Sequence, residues 1–267
     1  MILCENLHVT FNRGLPTEKL ALRGIDLTIP QSQFVTVIGS NGAGKSTLLN
    51  AIAGDVSSHK GKIFFDERNV TSLPATGRTK DIARVFQDPL AGTCGTLTVE
   101  ENMALAYGRG SRGKLSTALN SSLRKLFREQ LSRLNLGLEN RLDAEMGLLS
   151  GGQRQSVSLL MSALQPSSIL LLDEHTAALD PKTAALIMDI SSQIIAEKQL
   201  TVMMVTHSMR QALDYGSRTI MLHEGKIVFD LSGETRANSE VKDLLELFAK
   251  ARNDDTELDD DKLLLGS

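Results

Sequence analysis

The run Gly39-Ser40-Asn41-Gly42-Ala43-Gly44-Lys45-Ser46-Thr47 satisfies G-x-x-x-x-G-K-[ST] at every required position. Glycines there let consecutive backbone N–H groups turn into one concavity, which suits an anion. A helix expected over Ser46–Ala53 adds its positive N-terminal end to the same place. Lys45 is then expected to reach the β- and γ-phosphates of a nucleotide, and the Ser46 hydroxyl to hold Mg²⁺. The loop follows Phe34-Val35-Thr36-Val37-Ile38, a short β-branched run of the kind that forms a central strand covered on both faces. By itself the motif specifies a P-loop NTPase and leaves GTPases, kinases, helicases and transporters open.

Two acids extend the chemistry. Ile169-Leu170-Leu171-Leu172 is an apolar strand that runs straight into Asp173 and Glu174. Two carboxylates are hard to bury, so both are expected at the strand's exposed end, near the phosphate loop. Asp173 is expected in the Mg²⁺ shell. Side chains alternate along a strand, so Glu174 should point elsewhere and polarise the attacking water.

Leu149-Ser150-Gly151-Gly152-Gln153 reads as a second anion-binding helix start, with Ser150 as N-cap and glycines leaving backbone N–H groups accessible. A chain with one phosphate loop has use for it only if it faces a nucleotide held by another copy.

The elements that must position these residues form an α/β pattern. Strands are expected at 2–10, Lys62–Phe65, Ile82–Phe86 and Thr201–Val205, with a hairpin of Thr219–Leu222 and Lys226–Phe229 around Glu224-Gly225. From about Asp88 to Leu164 the character is helical, and Leu119, Leu123, Leu126, Phe127, Leu131 and Leu134 recur at steps of three and four. Helices are also expected near Pro181, from Ser208, and over Val241, Leu244, Leu245 and Phe248. The alternation implies a mainly parallel sheet with helices on its faces.

The segment Leu149–Gln153, followed by Arg154-Gln155 and standing 16 residues before Ile169, resembles the signature of ABC ATPases. The resemblance covers nearly the whole chain and implies a P-loop core with a mainly parallel sheet, an N-terminal antiparallel β part and an inserted α-helical subdomain. It implies one domain over residues 1–250 with the helical subdomain at about 88–164; the acidic run within 251–267 is by its composition expected to be a mobile tail. The signature would contact the γ-phosphate of ATP on the opposite subunit of a head-to-tail dimer. Gln87 matches the glutamine that touches Mg²⁺ near the membrane partner, and Ala178-Leu179-Asp180 matches the loop that crosses the dimer interface. His207 matches the switch histidine at the γ-phosphate, and Phe11 the aromatic that stacks on adenine. Two departures stand out: His175 replaces a frequent proline, and Ser156–Ser162 lacks an arginine common near its end. The run from Glu174 to Thr183 resembles import ATPases for amino acids or similar small solutes.

Implied with the family are ATP and Mg²⁺ as ligands, membrane-spanning permease subunits and a solute-binding protein as partners, and a place at the cytoplasmic face of the membrane. Composition agrees with a globular chain: 267 residues, 41% hydrophobic and 23% charged. A net charge of −3, 4% aromatics and no Trp argue against a nucleic-acid surface. Two cysteines, Cys4 and Cys94, cannot form a zinc ligand set and fit a reducing compartment. No signal peptide and no apolar run long enough to span a bilayer is expected. Roughly a hundred residues separate Thr47 from Leu149, too few for the long coiled coil of the DNA-repair and chromosome ATPases that share the signature. A soluble ATPase for iron–sulfur cluster assembly is the alternative that this spacing leaves open.

Overall fold

A computed structural model describes residues 1–109 and 120–255, with only the backbone described for 251–255. Leu119 of the expected helical stripe and residues 256–267 of the acidic segment lie outside the described residues.

Among the described residues, ten strands make two sheets. The first contains β1 (Ile2–Phe11), β2 (Lys19–Ile29), β4 (Lys60–Phe65) and β5 (Arg68–Asn69) in the order β2-β1-β4-β5, with every pairing antiparallel. The second contains β3 (Phe34–Ile38), β6 (Ile82–Val85), β7 (Ile169–Asp173), β8 (Thr201–Val205), β9 (Arg218–His223) and β10 (Lys226–Ser232). Its order is β10-β9-β3-β8-β7-β6, parallel throughout except for the β9–β10 hairpin. The expected fold class is therefore observed: a mainly parallel sheet, an antiparallel N-terminal part and inserted helices.

The apolar strands are buried on both faces, and their alternation sorts them into two cores. Ile169 and Leu171 of β7 join Met203 and Val205 of β8 on the side of the antiparallel sheet. Leu170 and Leu172 join Val202 and Met204 on the other side, with the helical subdomain. Helix α1 (Lys45–Ala53) lies in the first core through Leu48, Leu49 and Ile52, so the phosphate loop opens from the space between the sheets. After α1, the short helix α2 (Ala75–Arg78) brings Arg78 back beneath it. That fully buried guanidinium donates to the carbonyls of Ala51 and Ile52 at the C-terminal end of α1.

The helical subdomain comprises α3 (Val99–Tyr107), α4 (Ser121–Ser132) and α5 (Gly151–Ala163). Thr98 and Glu101 form a capping box at the start of α3, and Phe127 and Leu131 bury the apolar stripe of α4. Helix α6 (Pro181–Lys198) carries proline in its first turn and Asp180 as N-cap. The chain closes with α7 (Met209–Asp214), α8 (Gly233–Ala237) and α9 (Val241–Asp255). Among the described residues no helix is long and apolar enough to cross a membrane.

Candidate active site

The phosphate loop is built on three left-handed glycines, Gly39, Gly42 and Gly44. At Gly39 a Cβ would collide with the Leu222 carbonyl oxygen, and at Gly44 it would lie 2.7 Å from the Ala21 carbonyl oxygen. These glycines therefore serve close backbone approach as well as the turn. Ala43 is buried and anchors the loop, whereas Asn41, Gly42 and Ser46 are exposed and Ser40 and Thr47 half-buried. Lys45 curls back over the loop, its Nζ donating to Gly39 O at 2.8 Å and Ser40 O at 3.0 Å. Burial lowers its pKa, and the nearby Glu174 and Asp173 carboxylates oppose that shift.

Both acids stand at the C-terminal end of β7, beside the loop, but they are buried, 9% and 8% exposed, rather than at an exposed end. They tolerate burial because cations and donors cover them. Asp173 Oδ2 accepts from Arg84 at 2.9 Å, and Glu174 Oε2 lies 2.6 Å from His207 Nε2. Strand alternation does not set the direction of Glu174, because β7 ends at Asp173 and Glu174 has a left-handed backbone, φ 44°. The turn is tied by Glu174 N to Val205 O and by Ala177 N to Glu174 O. His175 behind it is buried, its pKa pushed down to about 4 by desolvation, with Nε2 3.3 Å from the Ser191 hydroxyl on α6.

A cleft of about 230 Å³ gathers Phe11, Lys19, Asn41–Thr47, Glu174 and His207. Phe11 is 38% exposed at its rim, as a stacking surface requires, rather than part of the core. Lys19 joins the cleft because the β1–β2 register sets it opposite Phe11. Sequence reading missed Lys19; β2 carries a bulge that hides its period. Gln87 is exposed, two residues past β6.

The signature segment lies apart from this cleft. Ser150 caps α5, its hydroxyl accepting from Gln153 N while Gln153 Oε1 accepts from Ser150 N. Leu149 is buried in the helical subdomain, whereas Ser150 and Gly151 are exposed. Of the two glycines only Gly151 faces open space; a Cβ on Gly152 would collide with Thr183 Cγ2 of α6. Gly152 is thus required by packing, not by access to its N–H. Ala178 and Asp180 are exposed and Leu179 half-buried, and Asp180 accepts from Thr183 N.

Ser46, Asp173 and Gln87 could supply only oxygen ligands, the donor type that Mg²⁺ prefers when it also takes phosphate oxygens and waters. No group of three His, Cys, Asp or Glu side chains that could cage a metal occurs among the described residues. Those residues fit an ion that arrives with phosphates.

The family model described as ABC transporter matches residues 22–177, more than half of the chain. The chain belongs to the ABC transporter family. Its curated relatives include a tyrosine transport ATP-binding protein of Clostridioides difficile, 42% identical across 94% of this chain and all of that one. A phosphonates import ATP-binding protein of Haloarcula marismortui is 35% identical, covering 86% of this chain and 84% of its own. Among solved structures, the ATP-binding cassette MJ0796, a dimer in a post-hydrolysis state with ADP and Pi, superposes with a TM-score of 0.76. It is 30% identical and covers 87% of this chain and 98% of its own. This ABC ATPase accordingly binds and hydrolyses ATP as the subunit that powers a membrane permease.

Proposed function

We propose that two copies of the chain close head to tail on two Mg-ATP and drive import of an amino acid or similar small solute through a separate permease. The observation that carries the dimer is the cleft's incompleteness. It is open to solvent along the loop, where Asn41, Gly42 and Ser46 are exposed and Phe11 stands at the rim. The exposed helix start at Ser150 supplies the missing wall from a second copy. MJ0796 crystallised as a dimer with ADP and Pi supports the same arrangement.

In this reading residues 1–250 form the ATPase domain. Adenine stacks on Phe11, and loop 39–47 cradles the phosphates, with Lys45 turning from its carbonyl partners to the β- and γ-phosphates. When bound, Mg²⁺ neutralises phosphate charge; Ser46, Asp173 and Gln87 hold it. Glu174 takes a proton from the attacking water, and His207 exchanges its Glu174 contact for the γ-phosphate. Ser150–Gln153 reaches that phosphate from the partner, and Ala178–Asp180 lies at the seam. ATP binds the closed pair on two sides and the open pair on one, so binding shifts the population toward closure and hydrolysis releases it.

The permease docks beside Gln87. A 430 Å³ groove there is lined by Phe86, Cys94, Leu105 and Arg109, and Leu90 and Leu105 are exposed large apolar side chains. Such docking places the chain at the cytoplasmic membrane face, with a solute-binding protein across the membrane. The relative named for tyrosine transport supports an amino-acid cargo.

Three measurements test this. Glu174→Gln with Mg-ATP should elute as a dimer, and a cysteine at Ser150 should crosslink to one at Asn41 of another copy; a monomer under saturating ATP sinks the dimer. Affinity isolation from native membranes should recover a multi-span permease. Recovery of a soluble cluster-assembly scaffold instead would overturn the transport reading.

A further inference from the structure

Arg84 is a lone charge within an apolar strand, and the proposed chemistry gives it no part. The β6–β7 register pairs Arg84 with Leu171, two residues before Asp173, so Arg84 and Asp173 share a sheet face. Its side chain is only 11% exposed. One guanidinium nitrogen bonds Asp173 Oδ2 at 2.9 Å and the other bonds Asp55 Oδ2 at 2.7 Å, just past the end of α1. The guanidinium carbon sits 4.5 Å from the Phe86 ring centroid, one residue before Gln87. Its Nε is buried without a hydrogen-bond partner. The residue therefore joins the segment after α1, the acid at the end of β7 and the entry to Gln87.

Charge accounting shows what this accomplishes. Asp55, Asp173 and Glu174 carry three negative charges here, against two fixed positive charges on Arg84 and Lys45, with His207 against Glu174 adding one only when protonated. Without Arg84 the excess would be two negative charges beside a hard-oxygen donor set, an attractive place for a bare divalent cation. With it, one oxygen of Asp173 is committed and the other is left for a metal shell. We propose that Arg84 is the internal counter-ion of Asp173, a positioning residue that bars free divalent cations until the nucleotide's phosphates arrive. Metal then enters with ATP rather than ahead of it. The proposal rests on the reading of Asp173 as the metal-shell acid.

The test is Mn²⁺ binding to the full chain without nucleotide, followed by electron paramagnetic resonance and calorimetry. Removing one positive charge a few ångströms from the ion should raise Mn²⁺ affinity about tenfold or more in Arg84→Gln. Arg84→Lys keeps the charge and should stay near the parent. Unchanged affinity in Arg84→Gln, or an equal gain in Arg84→Lys, overturns the proposal. Should Arg84→Gln not fold, Asp55→Asn carries the test in the opposite direction: Mn²⁺ affinity should fall, and a rise or no change is a refutation. Asp173→Asn separates the two levels. If it leaves the Mg²⁺ dependence of ATP binding unchanged, the reading of Asp173 fails and the proposal with it. If it abolishes that dependence while Arg84→Gln gains no Mn²⁺ affinity, only the proposal fails.

Discussion

Two glycine-containing turns open helices in this molecule, and they are built on opposite principles. At the start of α1 three glycines adopt left-handed backbones, the N-cap Gly44 has no side chain to satisfy the helix, and Lys45 lends its charge to two loop carbonyls. At the start of α5 neither glycine is left-handed, and Ser150 and Gln153 satisfy one another in a closed capping box. The first turn is a cradle whose helix start has no side-chain cap. The second commits Ser150 N and Gln153 N to that box, and the N–H groups of Gly151 and Gly152 stay outside it. In the proposed dimer such a half-site contributes when the first turn of the other copy delivers the nucleotide.

The comparison can be broken at several points. The largest effect should come from Glu174→Gln, which removes the proposed base next to the first turn while leaving both turns intact. Turnover should drop by roughly 10²–10⁴ with ATP binding retained; steady-state phosphate release checks it, and a parental rate would falsify the assignment. Lys45→Ala attacks the cradle alone. Losing a charged hydrogen-bond donor, worth about 1.5–3 kcal/mol, should weaken ATP binding to the isolated chain by about 10- to 100-fold, read by calorimetry.

A pH titration probes the support behind the cradle. His175 has a folded pKa of about 4 against 6.5 for the unfolded group, so the unfolded state binds its proton first as pH falls. Stability should therefore be full above pH 6.5 and decline below it, losing about 2 kcal/mol between pH 7 and 5. Denaturant melts should show that decline in the parent and not in His175→Gln.

The signature glycines sharpen the contrast most finely. Gly152→Ala should cost about 1–3 kcal/mol in denaturant melts, because Thr183 must give way. Gly151→Ala should change stability by no more than about 0.5 kcal/mol. It should slow turnover without altering ATP affinity of the monomer. Full turnover in Gly151→Ala would mean that this turn never meets a phosphate.

The parts of the site that sequence exposes are those whose chemistry is local. Residues 39–47 and 169–174 each carry their meaning in a few consecutive positions, and the helix starts at Ser150, Pro181 and Ser208 are marked by their caps. What escaped depends on pairing across the chain. Strand β2 is masked by a register shift near left-handed Gly24, which breaks the two-residue period, and Lys19 is lost with it. Arg84 is visible as a charge in an apolar strand, but its partner Asp173 is 89 residues away. The exposed end expected for the two acids failed for the same reason: their partners, Arg84 on β6 and His207 just past β8, come from distant parts of the chain.

Arg78 has a consequence for the far end of α1. Its guanidinium occupies the carbonyl-rich terminus of a nine-residue helix, completely shielded from solvent. The helix is then like a battery with its negative terminal permanently earthed inside the protein. Dissolved cations have little left to screen at that terminal, so salt acts on this helix chiefly at its open, phosphate-facing end.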